Sequence, residues 1–186
     1  MDKQLKELKK KQNEYKPECK CDNEGRVVVD LNVHNDDNFL SPYSSSENAV
    51  LTEEVSDFIE NNLKNVSVEK RIKLIIHGDT ITDEEQIQYE NAIHRHYTEQ
   101  YQNVKTDKSR LTKISFTMAM IAMLVLTIMF TLEFTIGINA VILEVIDIIA
   151  WVFMWEAVDI FFLQGSALRR KEKRYLALID SKIEFK

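Results

Sequence analysis

The most apolar stretch of the chain is ISFTMAMIAMLVLTIMFTL, residues 114–132, which contains no charged side chain. Its 19 residues come close to the roughly 20 that an α-helix needs to cross a hydrocarbon core about 30 Å thick. The alternative is a buried helix of a soluble bundle, but a helix that is apolar on every face is hard to place in water. We therefore expect a transmembrane helix here.

A second apolar stretch covers residues 141–163 and follows a short connection around Gly137. It is long enough to cross a bilayer, although four carboxylates interrupt it: Glu144, Asp147, Glu156 and Asp159. The two stretches together predict a transmembrane hairpin over residues 113–163, with spans at residues 114–132 and 141–163.

Basic side chains flank the predicted hairpin on both sides, whereas the connection between its spans has none. They are Lys105, Lys108, Arg110 and Lys113 before the first span, and Arg169, Arg170, Lys171, Lys173 and Arg174 after the second. Lysine and arginine are enriched on the cytoplasmic side of membrane proteins. We expect a membrane protein with two spans and both chain ends in the cytoplasm, in a membrane such as the bacterial inner membrane.

Two short segments before the hairpin have the pattern of strands, RVVVDLNV (residues 26–33) and RIKLIIH (residues 71–77). A helix with Thr52 as its N-cap separates them, and Thr82 with Glu85 forms a capping box that opens a long helix. The element order β-α-β-α follows. The expected fold class is a small cytosolic α/β domain plus a two-helix transmembrane hairpin.

The domain boundaries follow from these elements. We expect residues 26–112 to form the cytosolic domain, residues 1–25 a basic flexible tail, and residues 164–186 a basic cytosolic tail. Two strands make too small a sheet to be stable alone. Either the tail SKIEF (residues 181–185) or an identical subunit could complete it, and we expect the chain to self-associate.

The cytosolic part is acidic, with 17 acidic and 6 basic residues between positions 21 and 100. Such a surface repels the phosphate backbone, so nucleic acid is not an expected partner. A cytosolic protein and the lipid bilayer are the partners we expect.

The sequence contains no recognisable constellation of catalytic residues. All four glycines lie at apparent element boundaries, so no glycine-rich loop could hold a phosphate. The run DLNVHNDD, residues 30–37, lacks the spacing of a calcium-binding loop, and Cys19 and Cys21 have no second ligand pair nearby. We expect no enzyme activity, no cofactor and no metal site.

The second stretch orders its polar residues along one side of a helix. Asp147, Trp151, Trp155 and Asp159 repeat every four residues and form a ridge, with Glu144 and Glu156 on the same half of the helix. Lys113 is the expected charge partner of Asp159. Small side chains that permit close helix packing lie on the opposite side and on the first stretch: Ala150, Ala157, Ser115, Ala119 and Ala122.

Two functional interpretations remain open for this polar ridge. In one, the carboxyl groups hold subunits together, and the protein anchors an acidic interaction or regulatory domain at the membrane. In the other, an oligomer assembles the acids into a path for cations or protons. A membrane-bound enzyme is a third, less favoured possibility.

The layout also resembles a known family. The predicted order is a cytosolic domain, a long helix into the first span, a loop with Gly137, Ile138 and Asn139, a second span and a basic tail. This order is similar to that of the CorA family of divalent-cation channels, which carries Gly-Met-Asn at the loop. The resemblance implies cation transport. This chain departs from the family in its much shorter cytosolic part and in the acids of its second span.

Overall fold

The computed structural model describes residues 21–33, 38–45, 48–64, 66, 70–78, 81–137 and 139–186. The strands are β1 (Val27–Asn32), β2 (Ile72–His77) and β3 (Lys182–Phe185). The helices are α1 (Glu53–Leu63), α2 (Asp83–Ile136), α3 (Ala140–Asp159) and α4 (Gly165–Ile179), and a π-helical turn (Ile160–Gln164) joins α3 to α4.

The three strands form one parallel sheet in the order β1-β2-β3. In register, Val27 lies opposite Ile72, and Leu74 opposite Ile183. The amide of Lys186 donates to the carbonyl of Ile76, which extends the pairing of the last strand. Of the two ways to complete the sheet, the structure contains the tail strand.

One face of this sheet is buried and belongs to the core. Alternate residues of β1 and β2 are inaccessible to solvent, as the two-residue period of a strand requires: Val27, Val29, Leu31, Ile72, Leu74 and Ile76. The helices add buried side chains at helical spacing: Ile59 and Leu63 from α1, Ile93 and Tyr97 from α2, and Tyr175 and Leu178 from α4.

The chain divides into two compact units. Unit 1 consists of Met1–Thr98 and Arg174–Lys186, and unit 2 of Glu99–Lys173. Unit 2 is therefore an insertion between two segments of unit 1, because β3 returns to the sheet that β1 and β2 began.

Helix α2 begins with the predicted capping box. The amide of Thr82 donates to the Glu85 carboxylate at 2.7 Å, and the amide of Glu85 donates to the Thr82 hydroxyl at 3.4 Å. Thr52 also stands at the predicted N-cap of α1, but its hydroxyl donates to the carbonyls of Asn38 and Phe39 rather than capping the helix.

The predicted fold class is wrong in two respects. The domain is not β-α-β-α, because β3 is the third strand of its sheet. The two-helix transmembrane hairpin is also wrong, since among the described residues only α2 is long and apolar enough to cross a membrane.

The failure of the second span has a physical reason. Helix α3 has 20 residues, about the length of one membrane crossing. Any 18 consecutive residues of this helix include at least three of its four carboxylates. Each buried carboxylate opposes insertion by roughly 2.5 to 3.5 kcal/mol at the centre of a membrane helix. The first predicted span, by contrast, lies inside α2, which continues without a break for 54 residues.

Leu74→Ala should strongly destabilise unit 1, because Leu74 is completely buried in the central strand. Replacing a buried leucine by alanine costs about 2 to 5 kcal/mol through lost contacts and the cavity that remains. Pulse proteolysis in urea would measure the free energy of unfolding. Ile87→Ala is the matched control, since Ile87 is 61% exposed on α2, and a loss of similar size there would contradict the proposed core.

Candidate functional site

The small residues singled out in the sequence lie where α2 and α3 pack together. The Ser115 hydroxyl donates to the carbonyl of Ala157 at 2.7 Å. Ala122, Ala150 and Ala157 are buried, and Ala119 is half-buried. A serine that satisfies its hydroxyl on the facing backbone allows two apolar helices to approach closely.

The polar ridge of α3 faces outward within unit 2. Glu144, Trp151, Trp155 and Glu156 are exposed, whereas Asp147 and Asp159 are half-buried. The amide group of Gln164 donates to the Asp159 carboxylate at 3.5 Å. The described residues contain no ion pair between Asp159 and Lys113, so the structure does not bring that predicted pair together.

Directly after Asp159 the helix widens into the π-helical turn (Ile160–Gln164). Such turns are rare and occur often at functional sites, and no feature of the sequence predicted this one. The rings of Phe161 and Phe162 contact edge to face at 5.2 Å, and the Arg169 guanidinium lies 6.0 Å from the centre of the Phe161 ring.

Basic side chains gather at the end of unit 2 that contains this turn. We call them the basic belt: Lys105, Lys108, Arg110 and Lys113 on α2, and Arg169, Arg170, Lys171 and Lys173 on α4. An ion pair of 2.6 Å between Lys108 and Glu172 joins the two groups. All members except the half-buried Lys108 are exposed.

Unit 1 contains a pocket of about 350 Å³ at the carboxyl end of β1. Its lining is mainly apolar, with one carboxylate and two amides: Leu31, Asn32, Val33, Asn38, Phe39, Glu54, Val55 and Phe58. The carboxyl ends of parallel strands are the usual ligand-binding edge of open α/β sheets. The sequence did not reveal this pocket, because it combines β1, α1 and the segment around Phe39.

The face of the sheet opposite the core carries a charge cluster. The Lys73 ammonium lies 2.9 Å from Glu184 and 3.2 Å from Asp22, and Lys182 lies 3.0 Å from Glu184. Hydrogen bonds from Lys73 and then Lys182 lower the pKa of Glu184 below its ordinary value of 4.5. The pKa of Lys73 is raised above 10.5, chiefly by its hydrogen bond with Glu184.

Two tyrosines lie deep in unit 1. Burial raises the pKa of Tyr97, and its hydroxyl has no hydrogen-bond partner within the described part of the chain. Tyr175 donates to the Glu60 carboxylate at 3.3 Å, and burial together with that carboxylate raises the pKa of Tyr175 to about 12. Both hydroxyls are therefore neutral near pH 7, and neither is an activated nucleophile.

Metal ligands do not converge in the part of the chain that the structure describes. No group of three or more histidine, cysteine, aspartate or glutamate side chains could hold an ion there. Cys21 has a free, exposed thiol. His34, Asp36, Asp37, Cys19 and Ile138, which the sequence brought into question, lie outside the described residues.

No family model matches the chain, and neither the curated proteins nor the solved structures include a significantly similar one. The layout similarity to the CorA family thus has no support from these comparisons.

Lys73→Met should raise the pKa of Glu184 towards 4.5, because it removes the largest cause of the depression. A carboxylate with a lowered pKa stabilises the folded state above its unfolded pKa, and this contribution is lost as pH falls through the folded value. A carbon-13 NMR titration of the carboxyl group would measure the change.

The matched control is Lys70→Met, whose ammonium lies near Cys21 rather than Glu184. An equal pKa change in both variants would contradict a specific contact between Lys73 and Glu184.

Proposed function

We propose that this protein is an integral membrane protein that anchors unit 1 at the cytoplasmic face as an interaction or regulatory domain. One observation carries the proposal: the first part of α2 packs into the core of unit 1, whereas its later part exposes apolar side chains. Near its start, α2 contributes Tyr89, Ala92, Ile93 and Tyr97 to the core of unit 1. Farther along it presents apolar side chains outward.

The exposure of this second part argues against a soluble core helix. Only 17% of the most apolar 18-residue window of α2 is buried, and Phe116, Leu124 and Phe130 are each about 60 to 70% exposed. Soluble proteins rarely expose apolar patches of more than a few hundred Å². Lipid is the environment that removes such a surface from water.

The distribution of cations supports a cytoplasmic position for unit 1. The basic belt lies at one end of unit 2, and residues 114–168 contain neither lysine nor arginine. The positive-inside rule puts the belt on the cytoplasmic side. Unit 1 directly adjoins these basic segments in sequence, since it ends at Thr98 before them and resumes at Arg174 after them.

Unit 1 offers two features for an interaction. The pocket at the end of β1 could take a small apolar ligand or an apolar side chain of a partner, with Glu54 available for a cationic group. The second feature is the charge cluster on the sheet face opposite the core, with Lys73 at its centre. A cytosolic protein is the partner that we propose.

Leu124→Asp combined with Ile128→Asp should release the protein from membranes. Both side chains are about half exposed on the apolar part of α2, and two aspartates in hydrocarbon would cost about 5 to 7 kcal/mol. Extraction with alkaline carbonate, followed by centrifugation, would show the protein moving from the pellet to the supernatant.

Ile87→Asp, on the part of α2 that belongs to unit 1, serves as the control and should stay in the pellet. Orientation is measured in a Cys19→Ser background, where Cys21 is the one remaining thiol. An impermeant maleimide should label Cys21 only after the cytoplasmic face is opened. Recovery of the unmutated protein in the carbonate supernatant would overturn the proposal.

A second candidate function is cation or proton conduction by an oligomer. The observation that favours it is the outward-facing polar ridge, since Glu144 and Glu156 are exposed on an apolar helix. A symmetric contact between two such ridges would bring carboxylates together, and like charges at close range must share protons or bind cations. Self-association through the ridge would thus create an acidic path.

Asp147→Asn with Glu156→Gln should abolish ion flux in proteoliposomes if the ridge conducts, because it removes the charges without changing side-chain shape. A fluorescent assay of proton or cation uptake would measure the flux. Glu84→Gln, an exposed carboxylate of unit 1, should leave it unchanged. If the unmutated protein gives no flux above empty vesicles, the conduction hypothesis fails and the anchoring proposal stands.

A further inference from the structure

The basic belt concentrates the positive charge of unit 2 in two short segments of the chain. Residues 105–113 and 164–173 together contain eight lysines and arginines and two acids, Asp107 and Glu172. Residues 114–168 contain no lysine or arginine and five acids. The positive charge of unit 2 is therefore confined to one end of its apolar part.

Tertiary contacts hold the two halves of the belt side by side. Lys108 on α2 pairs with Glu172 on α4 at 2.6 Å. Two turns farther along α2, Ser115 bonds to the backbone of α3 at Ala157. The belt is thus a composite surface from two helices that are separated by more than fifty residues in sequence.

Most of the belt has no internal counter-charge. Lys108 is neutralised by Glu172, but within the described residues the other seven cations form no ion pair. They include three arginines, Arg110, Arg169 and Arg170. A guanidinium can donate two parallel hydrogen bonds to a phosphate group. Seven exposed, unpaired cations in one place favour an anionic partner.

The surface next to the belt is strongly apolar. Phe116 on α2 and Phe162 and Leu163 in the π-helical turn are each more than 60% exposed. Arg169 lies over the ring of Phe161, so cation and apolar surface are in direct contact. A partner that fits both must carry phosphate beside hydrocarbon, whereas an acidic protein segment would satisfy only the charges.

We propose that the basic belt binds the headgroups of anionic phospholipids. The proposal rests on the proposed membrane anchoring, because the belt reaches headgroup depth when the apolar part of α2 is in the hydrocarbon. Clusters of four to eight lysines and arginines directly beside a membrane segment attract anionic lipids over a distance of about one Debye length. The exposed Phe161, Phe162 and Leu163 contact the acyl chains below those headgroups.

The test uses the full chain reconstituted in phosphatidylcholine vesicles with a trace of dansyl-labelled lipid. Trp151 and Trp155 are the two tryptophans of the chain, and they act as energy donors on α3, the helix that leads into the π-helical turn. Energy transfer to dansyl-phosphatidylglycerol should exceed transfer to dansyl-phosphatidylcholine several-fold. The preference should vanish between about 0.1 M and about 1 M salt, because the Debye length falls from about 10 Å to about 3 Å.

A variant with four substitutions tests whether the basic belt causes the preference for phosphatidylglycerol. This variant should reduce the enrichment of phosphatidylglycerol to less than half of the unmutated protein's value. Its four changes are Arg169→Gln, Arg170→Gln, Lys171→Gln and Lys173→Gln. The matched control neutralises four exposed cations of unit 1 and should keep the full preference: Lys64→Gln, Lys70→Gln, Arg71→Gln and Lys186→Gln.

Flotation of the vesicles on a density gradient separates the two possible failures. If the protein does not float with the vesicles, the anchoring proposal and this one both fall. If the unmutated protein floats but shows equal transfer from both labelled lipids at low salt, anchoring stands and lipid selection is overturned. That second outcome would assign the belt to an acidic protein partner instead.

Discussion

The apolar part of α2 is largely exposed, and the proposed function depends on which environment removes this surface from water. Burying apolar side chains is worth roughly 25 cal/mol for each Å², yet α2 contributes few of its apolar residues to a protein core beyond Thr98. Within unit 2, α3 covers one stripe through Ser115, Ala122, Ala150 and Ala157. The remainder of the apolar surface stays exposed.

Unit 1 contains a sheet of only three strands in its described part, and this small sheet needs additional buried side chains to be stable. Alternate apolar side chains of β1 and β2 form the inner face of the sheet, and α1, α2 and α4 add the buried side chains Ile59, Ile93, Tyr97 and Leu178 to this core. The last strand is essential to this solution because two strands alone would be too few. With β3 in place, an identical subunit is no longer needed to complete the sheet.

The same strand links the fold to the proposed function. Since β3 comes after unit 2 and pairs with β2, the chain returns to unit 1 within α4, at Arg174. Within unit 2, the ion pair of Lys108 with Glu172 joins the cations of two helices into one belt. A charge pattern that the sequence shows as two separate clusters thereby becomes a single surface, next to the exposed aromatic side chains of the π-helical turn.

Sequence patterns predicted β1, β2, the start of α1 and the capping box of α2 at or within a residue or two of their places. Each depends on neighbours within one or two turns of the chain, where periodicity and capping act. The small residues Ser115 and Ala157 were singled out by spacing, and the structure joins them. Within the described residues Lys113 does not pair with Asp159, which accepts a hydrogen bond from Gln164 instead. Gln164 lies at the end of the π-helical turn, and a projection of a regular α-helix does not include such a turn.

The sequence by itself determined where the chain is apolar, where it is charged and where its local elements begin, because these depend on side-chain chemistry and short-range hydrogen bonds. Only the tertiary structure decided that residues 182–185 are the third strand, that a pocket lies between β1 and α1, and that Lys108 meets Glu172. These contacts join residues far apart along the chain, and their stability comes from burial and pairing that no local pattern records.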